Sequence, residues 1–517
     1  MSLNTFLIQL VCFSCVLMLL QARRVARGWV LISGGILLVL VGMMILAPEI
    51  AGWVSGGLWA VLIVLPLAGY AMIGRLVAQE RFRQASRLAS WVRWLHPLDG
   101  LFEYPALLRG LELGQRGRVD EAIRLFEQHQ AKTTIGNTAR ALLYRIGARW
   151  EDAITWVQQS LSEKVAFKDI SVALIYLRSL GEVGDLNGLL HAVERFEHQF
   201  GPWGDTASLS LGRMFALAFC GQTEEVRQLF EGPLSNYSNL THQYWLATAE
   251  WAAGNPSFAR QQFLALQQRS DSVQNAAIAW RLSQPPIDLD QVLDLSSRKI
   301  LIRLRVETGQ ESHYSLRQAY RGRKTYVTYL LIAANLLMFG WEVISGGSDN
   351  PETLYSLGAL VPEVVFAGEW WRVVTANFLH LNFLHLLANM VGLYILGRFI
   401  ETVLGAGRFL LIYGFSGVGA MLTVAIVAVI AETPIFVVGA SGAVMGLLGA
   451  MGAIFLRGWQ QEKAQVAGKQ LLWLLALIGL QVISDLLIPE SSLVGHLSGL
   501  SIGFLAGYLL SYRLKQS

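Results

Sequence analysis

Long apolar runs constrain the fold of this 517-residue chain more than any other sequence feature. A helix that crosses the hydrocarbon core of a bilayer needs about 20 consecutive, mainly apolar residues. The first 74 residues hold three such runs, at roughly 4–20, 28–47 and 53–73. Residues 325–517 hold six more, at roughly 325–344, 384–399, 407–430, 435–456, 470–488 and 493–511. The pattern predicts an all-α, polytopic membrane protein with three domains: three transmembrane helices in 1–74, a polar region in 75–320 and a six-helix core in 325–517.

The composition excludes several classes of protein. Hydrophobic residues make up 53% of the chain and charged residues 15%, against about 25% charged in ordinary globular chains. A disordered, fibrous or wholly soluble protein is therefore excluded, and a net charge of +4 does not suggest a nucleic-acid partner. Three cysteines cannot form a disulfide framework. Cys12 and Cys15 read C-x-x-C inside an apolar run, where small buried hydrophobes are favoured over a redox pair.

The loop charges alternate between consecutive runs, which predicts a topology. Cytoplasmic loops carry the excess of Lys and Arg. The loops expected inside hold Arg23, Arg24 and Arg27; Arg75, Arg81, Arg83 and Arg87; Arg317, Arg321, Arg323 and Lys324; Arg398 and Arg408; Arg457, Lys463 and Lys469; and Arg513 with Lys515. The loops expected outside hold Glu49; Asp349, Glu352, Glu363 and Glu369; Glu432; and Glu490. We expect nine spans in a bacterial inner (plasma) membrane, with the N-terminus outside and both 75–320 and the C-terminus in the cytoplasm. A signal peptide at the N-terminus is disfavoured, because no Lys or Arg precedes the first run.

The polar region contains a repeated phrase. A glycine is followed by a small residue five positions on and an aromatic four later, starting at Gly117, Gly221 and Gly254, with weaker copies at Ala148 and Gly184. The starts are 31, 36, 37 and 33 residues apart, near the 34-residue tetratricopeptide period. The sequence predicts a cytoplasmic α-solenoid of such repeats, with an irregular helical bundle as the alternative. A solenoid presents a concave surface that binds protein or peptide partners.

The fourth core run contains a candidate nucleophile. Ser441 lies in Gly439-Ala-Ser441-Gly442, near the outer end of its run. Unpaired backbone N–H groups and the helix dipole favour a developing negative charge at that end. The alternative is a structural role, in which Ser441 only hydrogen-bonds to a neighbouring helix and the glycines allow close helix packing.

The sixth core run supplies a candidate general base at the same depth. His496 is followed by Gly499, Gly503 and Gly507 at offsets of 3, 7 and 11, which form one small-residue stripe. Such a stripe lets a neighbouring backbone approach. A histidine that reaches a serine hydroxyl can take its proton. Since the sequence places no intramembrane aspartate to orient His496, we expect a Ser-His dyad; Asp485 is assigned to a span end.

The second core run adds two candidate hydrogen-bond donors. His385 and Asn389 are four residues apart and share one helical face. Such side chains can bind the oxyanion of an acyl-transfer intermediate, or else form an ordinary interhelical bond. His380 lies about 140° away on the helix and is assigned a structural role.

Residues 325–517 resemble a rhomboid-family intramembrane serine protease. The matching elements are Trp371-Arg372, the series His380, His385 and Asn389, Glu401-x3-Gly405, Gly439-Ala-Ser441-Gly442, and His496-x2-Gly499-x3-Gly503. The resemblance implies Ser441 as nucleophile, His496 as base, an oxyanion hole from His385, Asn389 and the Ser441 N–H, and fold-stabilising roles for Trp371, Arg372 and Glu401. Many members carry an aromatic four residues after the nucleophile, and here that residue is Met445.

The resemblance implies a serine endopeptidase that cleaves transmembrane segments of membrane proteins within the lipid bilayer. No metal, ATP or organic cofactor is indicated, and the repeats would recruit cytoplasmic partners or substrate tails. The alternative is a catalytically weak or inactive rhomboid-like scaffold that binds membrane clients. A transporter would need charged pairs near the bilayer midplane, and the sequence does not suggest them.

Overall fold

A computed structural model describes residues 3–20, 27–95, 102–130, 135–161, 163–200, 206–314, 325–461, 463–487 and 492–511. Some of the charged loop residues used to predict the topology lie outside the described residues: Arg23, Arg24, Arg317, Arg321, Arg323, Lys324, Glu490, Arg513 and Lys515. Within them the chain is helical apart from turns, loops and one isolated β-bridge between Leu360 and Val437. The all-α prediction is confirmed. The chain divides into two compact units, Met1–Gly309 and Gln310–Ser517.

Eight helical stretches in the described residues are long and apolar enough to cross a membrane. They are Arg27–Leu46, Ala51–Ala78, Tyr326–Ile344, Phe383–Leu404, Ala406–Ile430, Ser441–Gln461, Val466–Leu486 and Leu493–Leu510. The first predicted run forms the helix Leu3–Leu20, whose apolar stretch Leu7–Leu19 is shorter than the others. The protein is therefore an integral membrane protein, and the ninth span stays a prediction.

The three N-terminal helices, the last two of which are among these eight stretches, pack around a small apolar cluster. They are Leu3–Leu20, Arg27–Leu46, and Ala51–Trp59 continued through a π-helical turn into Leu65–Ala78. Cys15 is buried in this cluster with Val11 and Ile36. Both Cys12 and Cys15 are free thiols, and Cys15 fills apolar space.

Further helices joined by tight turns follow these three within the first unit. Their bounds are Phe82–Val92, Tyr104–Gln115, Val119–Gln130, Gly136–Ile146, Trp150–Ser160, Glu163–Ala166, Ile170–Val183, Leu186–Phe200, Thr206–Phe219, Thr223–Glu231, Asn239–Ala252, Pro256–Gln267, Ser272–Ser283, Leu289–Val292 and Leu295–Tyr314. All five repeat starts have a left-handed backbone, with φ between +49° and +89°, at Gly117, Ala148, Gly184, Gly221 and Gly254. The residues five positions later are fully buried in each copy: Ala122, Ala153, Leu189, Val226 and Ala259. Each repeat start is thus a helix-ending turn followed by a close helix contact.

A buried ionic network lies in this helical region. The Glu182 side chain, which is fully buried, pairs with Arg178 at 3.2 Å and with Arg281, and it accepts from the Tyr244 hydroxyl at 3.2 Å. Burial, and then the charge of Glu182, raise the pKa of Tyr244 to about 12. Tyr244 therefore stays protonated and acts as a donor throughout the physiological pH range.

The second unit holds six membrane helices and a structured loop. The helices are Tyr326–Ile344, Phe383–Gly392 continued through a π-helical turn into Arg398–Leu404, Ala406–Ile430, Ser441–Gln461, Gln465–Leu487 and Leu493–Leu510. The loop after the first of them contains the short helices Pro351–Ser356, Pro362–Phe366 and Arg372–Thr375. The fourth of these helices, Ser441–Gln461, is the most buried of the eight candidate spans, since 83% of its apolar 18-residue stretch is buried inside the protein. It is the central element of the core.

The predicted start of this central helix is wrong. The apolar run begins near residue 435, but the helix begins at Ser441. Val437 instead pairs with Leu360 as an isolated bridge, and Gly439 takes φ +133°, which other residues rarely adopt. Apolar composition alone does not separate an extended segment from the helix that follows it.

Candidate active site

Ser441 is the first residue of the central helix, which we call the serine helix (Ser441–Gln461). The extended segment before it is fixed by the backbone N–H of Gly439, which donates to the Ala376 carbonyl at 2.8 Å. The first backbone N–H groups of a helix have no partners within the helix. Ser441 therefore lies where free N–H donors and the positive end of the helix dipole favour an anion.

The histidine helix (Leu493–Leu510) packs against the serine helix, backbone against backbone. A Cβ added to Gly499 would overlap the carbonyl oxygen of Gly442, and one added to Gly503 would overlap that of Gly446. A Cβ on Gly507 would stand 2.6 Å from Cα of Ala450. The predicted glycine stripe is thus a contact between two backbones. It brings the turn that carries His496 against the turn that carries Ser441.

An aspartate contacts His496, which corrects the prediction that none would orient it. Asp485, near the end of the helix Gln465–Leu487, places Oδ2 2.8 Å from Nδ1 of His496. The Asp485 side chain is 1% exposed and that of His496 is 10% exposed. Gln481, one turn earlier, donates to the other Asp485 oxygen at 2.8 Å. The carboxylate is therefore held on both oxygens, and one of them faces the imidazole.

His385 and Asn389 lie beside Gly439, two residues before Ser441. A Cβ built on Gly439 would be 2.7 Å from Cε1 and 2.8 Å from Nε2 of His385, and 3.8 Å from Nδ2 of Asn389. Asn389 is buried, and among the described residues its Nδ2 has no hydrogen-bond partner. A buried amide donor without a partner costs about 1–3 kcal/mol. The Nδ2 group of Asn389 therefore lies beside the segment that leads to Ser441 as a donor available to a ligand.

The other candidate residues support the surrounding backbone. The Glu401 carboxylate accepts from the N–H groups of Val327 and Thr328, at 3.0 and 2.8 Å, and fixes the start of the first core helix. Arg372 donates to the carbonyls of Tyr355 and Ala359, at 2.8 and 2.9 Å, and so closes the structured loop.

Three further candidates have different surroundings. His380 is fully buried, and its backbone N–H donates to Glu342 at 3.1 Å. Met445 is buried in the core cluster. Trp371 is 45% exposed and precedes the short helix Arg372–Thr375.

The sequence offered a signal for Asp485. An ionisable residue within an apolar helix is costly and marks a functional site by default. This signal was missed because Asp485 lies near a helix end, where side chains usually reach water. A loop also separates Asp485 from His496 in the sequence, so the sequence did not predict that the two side chains are in contact. Within the part of the chain described here, no group of three His, Cys, Asp or Glu side chains is arranged to hold a metal ion.

Comparisons with known proteins match this unit. The rhomboid domain model matches residues 367–513. Rhomboid protease GluP of Bacillus subtilis (strain 168) is 34% identical over 189 residues, which make up 37% of this chain and 35% of that protein. RHOMBOID-like protein 5 of Arabidopsis thaliana is 35% identical over 161 residues, or 31% of this chain and 50% of that protein.

A shorter relative is covered more fully. Putative rhomboid protease YdcA of Bacillus subtilis (strain 168) is 35% identical over 163 residues, which make up 30% of this chain and 72% of that protein. The chain spans about a third to a half of the length of the first two relatives. The likeness therefore concerns the C-terminal unit.

Proposed function

The chain belongs to the rhomboid family, and from that premise we propose that it is an intramembrane serine endopeptidase that cleaves transmembrane segments of other membrane proteins. The observation that carries the proposal is the backbone contact between Gly442 and Gly499. This contact holds the first turn of the serine helix, which begins at Ser441, against the turn that carries His496. The imidazole of His496 also contacts the Asp485 carboxylate. His385 and Asn389 lie beside the same segment.

In the proposed reaction, the Asp485 carboxylate accepts a hydrogen bond from the Nδ1–H of His496. The proton stays on Nδ1, and the unprotonated Nε2 is left to act as the base. Nε2 takes the proton from the Ser441 hydroxyl as Oγ bonds to the scissile carbonyl carbon. His385, Asn389 and the Ser441 N–H then donate to the oxyanion. His496 returns the proton to the leaving amine as the C–N bond breaks, and water hydrolyses the acyl-serine by the same steps. Asp485 is a positioning residue in this scheme and replaces the dyad with a three-membered arrangement.

The substrate's helix must unwind locally before the reaction, because its carbonyls are otherwise bonded within the helix. The resemblance to the family implies a small residue before the cut and helix-weakening residues after it. Water enters from the side of the membrane on which Ser441 lies. In the proposed topology of nine spans that is the outer side, and residues 75–320 with the C-terminus lie in the cytoplasm.

The test compares the purified full-length protein with its Ser441→Ala variant on a generic transmembrane substrate in detergent. Cleavage should be abolished while the thermal transition stays within a degree or two, since the loss of a small hydroxyl leaves no buried charge. Ser501→Ala is the matched control: Ser501 lies exposed on the histidine helix, its hydroxyl donates to the Leu497 carbonyl of the same helix, and the variant should keep full activity. Cleavage by Ser441→Ala would refute the assignment. An inactive wild type that still binds the substrate would favour the rhomboid-like scaffold.

We also propose that residues 75–320 are tetratricopeptide-like repeats that recruit cytoplasmic partners or substrate tails. Support comes from a cavity of about 300 Å³ within the first unit, lined in part by Leu107, Arg145, Arg178 and Trp245. Burial, and then the charge of Arg178, lower the pKa of Arg145, while Glu80 and Asp271, which line the same cavity, act in the opposite direction. An anionic group of a partner in this cavity would likewise favour the charged guanidinium. Pull-down from cell extract with wild type and Arg145→Ala tests this, and equal recovery of the same partners would contradict a role for the cavity.

A further inference from the structure

The third N-terminal membrane helix is longer than a bilayer is thick. Ala51–Ala78 has 28 residues, which span about 42 Å at 1.5 Å per residue. The hydrocarbon core is only about 30 Å thick. A stretch of about 20 residues from Ala51 ends near Tyr70, and the exposed Arg75 follows. The last two turns therefore project beyond the hydrocarbon.

The second membrane helix marks the same boundary independently. Arg27–Leu46 has 20 residues, which is one bilayer length, and it begins with the exposed Arg27. Trp29, in its first turn, packs edge-to-face on Tyr70 with ring centroids 6.3 Å apart. Trp and Tyr concentrate at the level of the lipid headgroups. The pair of Trp29 and Tyr70 thus places the membrane surface at this height.

The helix Phe82–Val92 folds back along the projecting turns to this height. Its buried face, which includes Phe82, Ala85 and Val92, packs in one cluster with Ile73. A Cβ built on Gly69 would be only 2.7 Å from Cγ2 of Val92. Since Gly69 adjoins Tyr70, the end of the fold-back helix returns to the membrane surface.

Large aromatic side chains are exposed at that returning end, together with an exposed arginine, Arg87, and a half-buried one, Arg93. Trp91 is 78% and Trp94 is 66% exposed. The Arg93 guanidinium lies 5.3 Å from the ring of Trp94 and 4.5 Å from that of Phe102. Arg87 is exposed one turn before Trp91. We call Arg87, Trp91, Arg93, Trp94 and Phe102 the aromatic-basic patch.

We propose that the aromatic-basic patch binds the anionic phospholipid headgroups of the leaflet at which the third membrane helix ends. Indole rings favour the headgroup level, and arginines beside them are attracted by anionic lipid. The patch is distinct from the proposed active site and does not depend on proteolysis. Through the fold-back helix it would hold the start of the helical region against the membrane surface.

Depth-dependent quenching in the full-length protein tests the proposal. The three native cysteines are replaced by serine, Trp91→Cys is labelled with an environment-sensitive fluorophore, and the protein is placed in vesicles of phosphatidylcholine with phosphatidylglycerol. Leu295→Cys is the control, because Leu295 is 80% exposed on a helix of the same unit. A nitroxide on the lipid headgroup should quench the label at 91 several-fold more than the label at 295, and aqueous iodide should do the reverse. Equal iodide quenching at both sites would overturn the proposal.

A second comparison tests the charge. Arg87→Gln with Arg93→Gln should lower headgroup quenching at 91 to the level measured in vesicles of phosphatidylcholine alone. Quenching that is equal in both kinds of vesicle, with or without the arginines, would overturn the role of anionic lipid. Trp94→Cys reports the same depth and replaces Trp91→Cys if that variant loses its thermal transition.

Discussion

An aspartate beside a histidine decides which ring nitrogen carries a proton. In this protein the 2.8 Å contact between Asp485 and Nδ1 of His496 favours the Nδ1–H form. The histidines could be predicted as site residues from the sequence, because an ionisable side chain inside an apolar helix is rare and costly. The partnership of Asp485 with His496 could not, because it joins two helices across a loop whose path the apolar pattern does not specify.

Asp485→Asn should lower kcat by up to about 10⁴-fold with little change in KM, because an amide can hold the imidazole in the wrong tautomer. Steady-state kinetics on a transmembrane peptide measures both constants. Glu401→Gln is the matched control, since that carboxylate binds backbone N–H groups of the first core helix. It should lower the thermal transition and spare kcat. A kcat for Asp485→Asn equal to wild type would show that His496 needs no orienting group.

Asn389→Leu should separate activity from stability. Loss of one oxyanion donor lowers kcat by about 10²–10³-fold. The same change removes a buried amide nitrogen that has no partner among the described residues, so the thermal transition should stay equal or rise. Asn335→Leu is the control: Asn335 lies buried on the first core helix, where its Nδ2 donates to the Leu331 carbonyl at 2.8 Å, and its replacement should leave kcat unchanged. A large fall in stability for Asn389→Leu would indicate a structural role for Asn389.

At the scale of elements, hydropathy predicted the long apolar helices but misplaced the start of the serine helix. The apolar run that starts near residue 435 includes Val437 and Val438, which precede the helix, and Val437 forms a β-bridge with Leu360. The helix itself begins at Ser441. Apolar count does not distinguish the two conformations, whereas Gly439 at φ +133° gives the physical reason for the break. In the helical region the repeated phrase did carry local geometry, since every repeat start has positive φ.

Gly503→Ala should lower both stability and activity, because its Cβ has no room against the Gly446 carbonyl. Overpacking of this kind costs about 1–3 kcal/mol. Gly499→Val, one turn nearer His496, should impair cleavage almost as much as His496→Ala while also lowering stability. Gly479→Ala is the control, since nothing lies within 4 Å of its added Cβ. Thermal unfolding and cleavage rates give the readout, and a Gly503→Ala variant that matches Gly479→Ala in both would contradict the close-approach argument.

At the scale of the whole molecule, the loop charges predict orientation. A cysteine at Ser348 should react with an impermeant thiol reagent added outside intact cells, in a background without the native cysteines. One at Gln460 should react only after the membrane is opened. Ser348 is half-buried and Gln460 exposed in the described structure, so burial does not favour the expected result. The reverse pattern would move Ser441 to the cytoplasmic side.

Deletion of residues 1–320 should leave a core that still cuts a transmembrane substrate in detergent. The chain divides between Gly309 and Gln310, and Ser441, His496, Asp485, His385 and Asn389 all lie in the second unit. A relative exists in which the matched core makes up 72% of the protein. In cells, the same deletion should slow or redirect cleavage, because a tethered binding surface raises the effective concentration of its client. Cleavage rates of both forms are compared in detergent and in cells, with Ser441→Ala in each form as the blank. A core that shows a cooperative thermal transition but no cleavage in detergent would show that the first unit completes the active site.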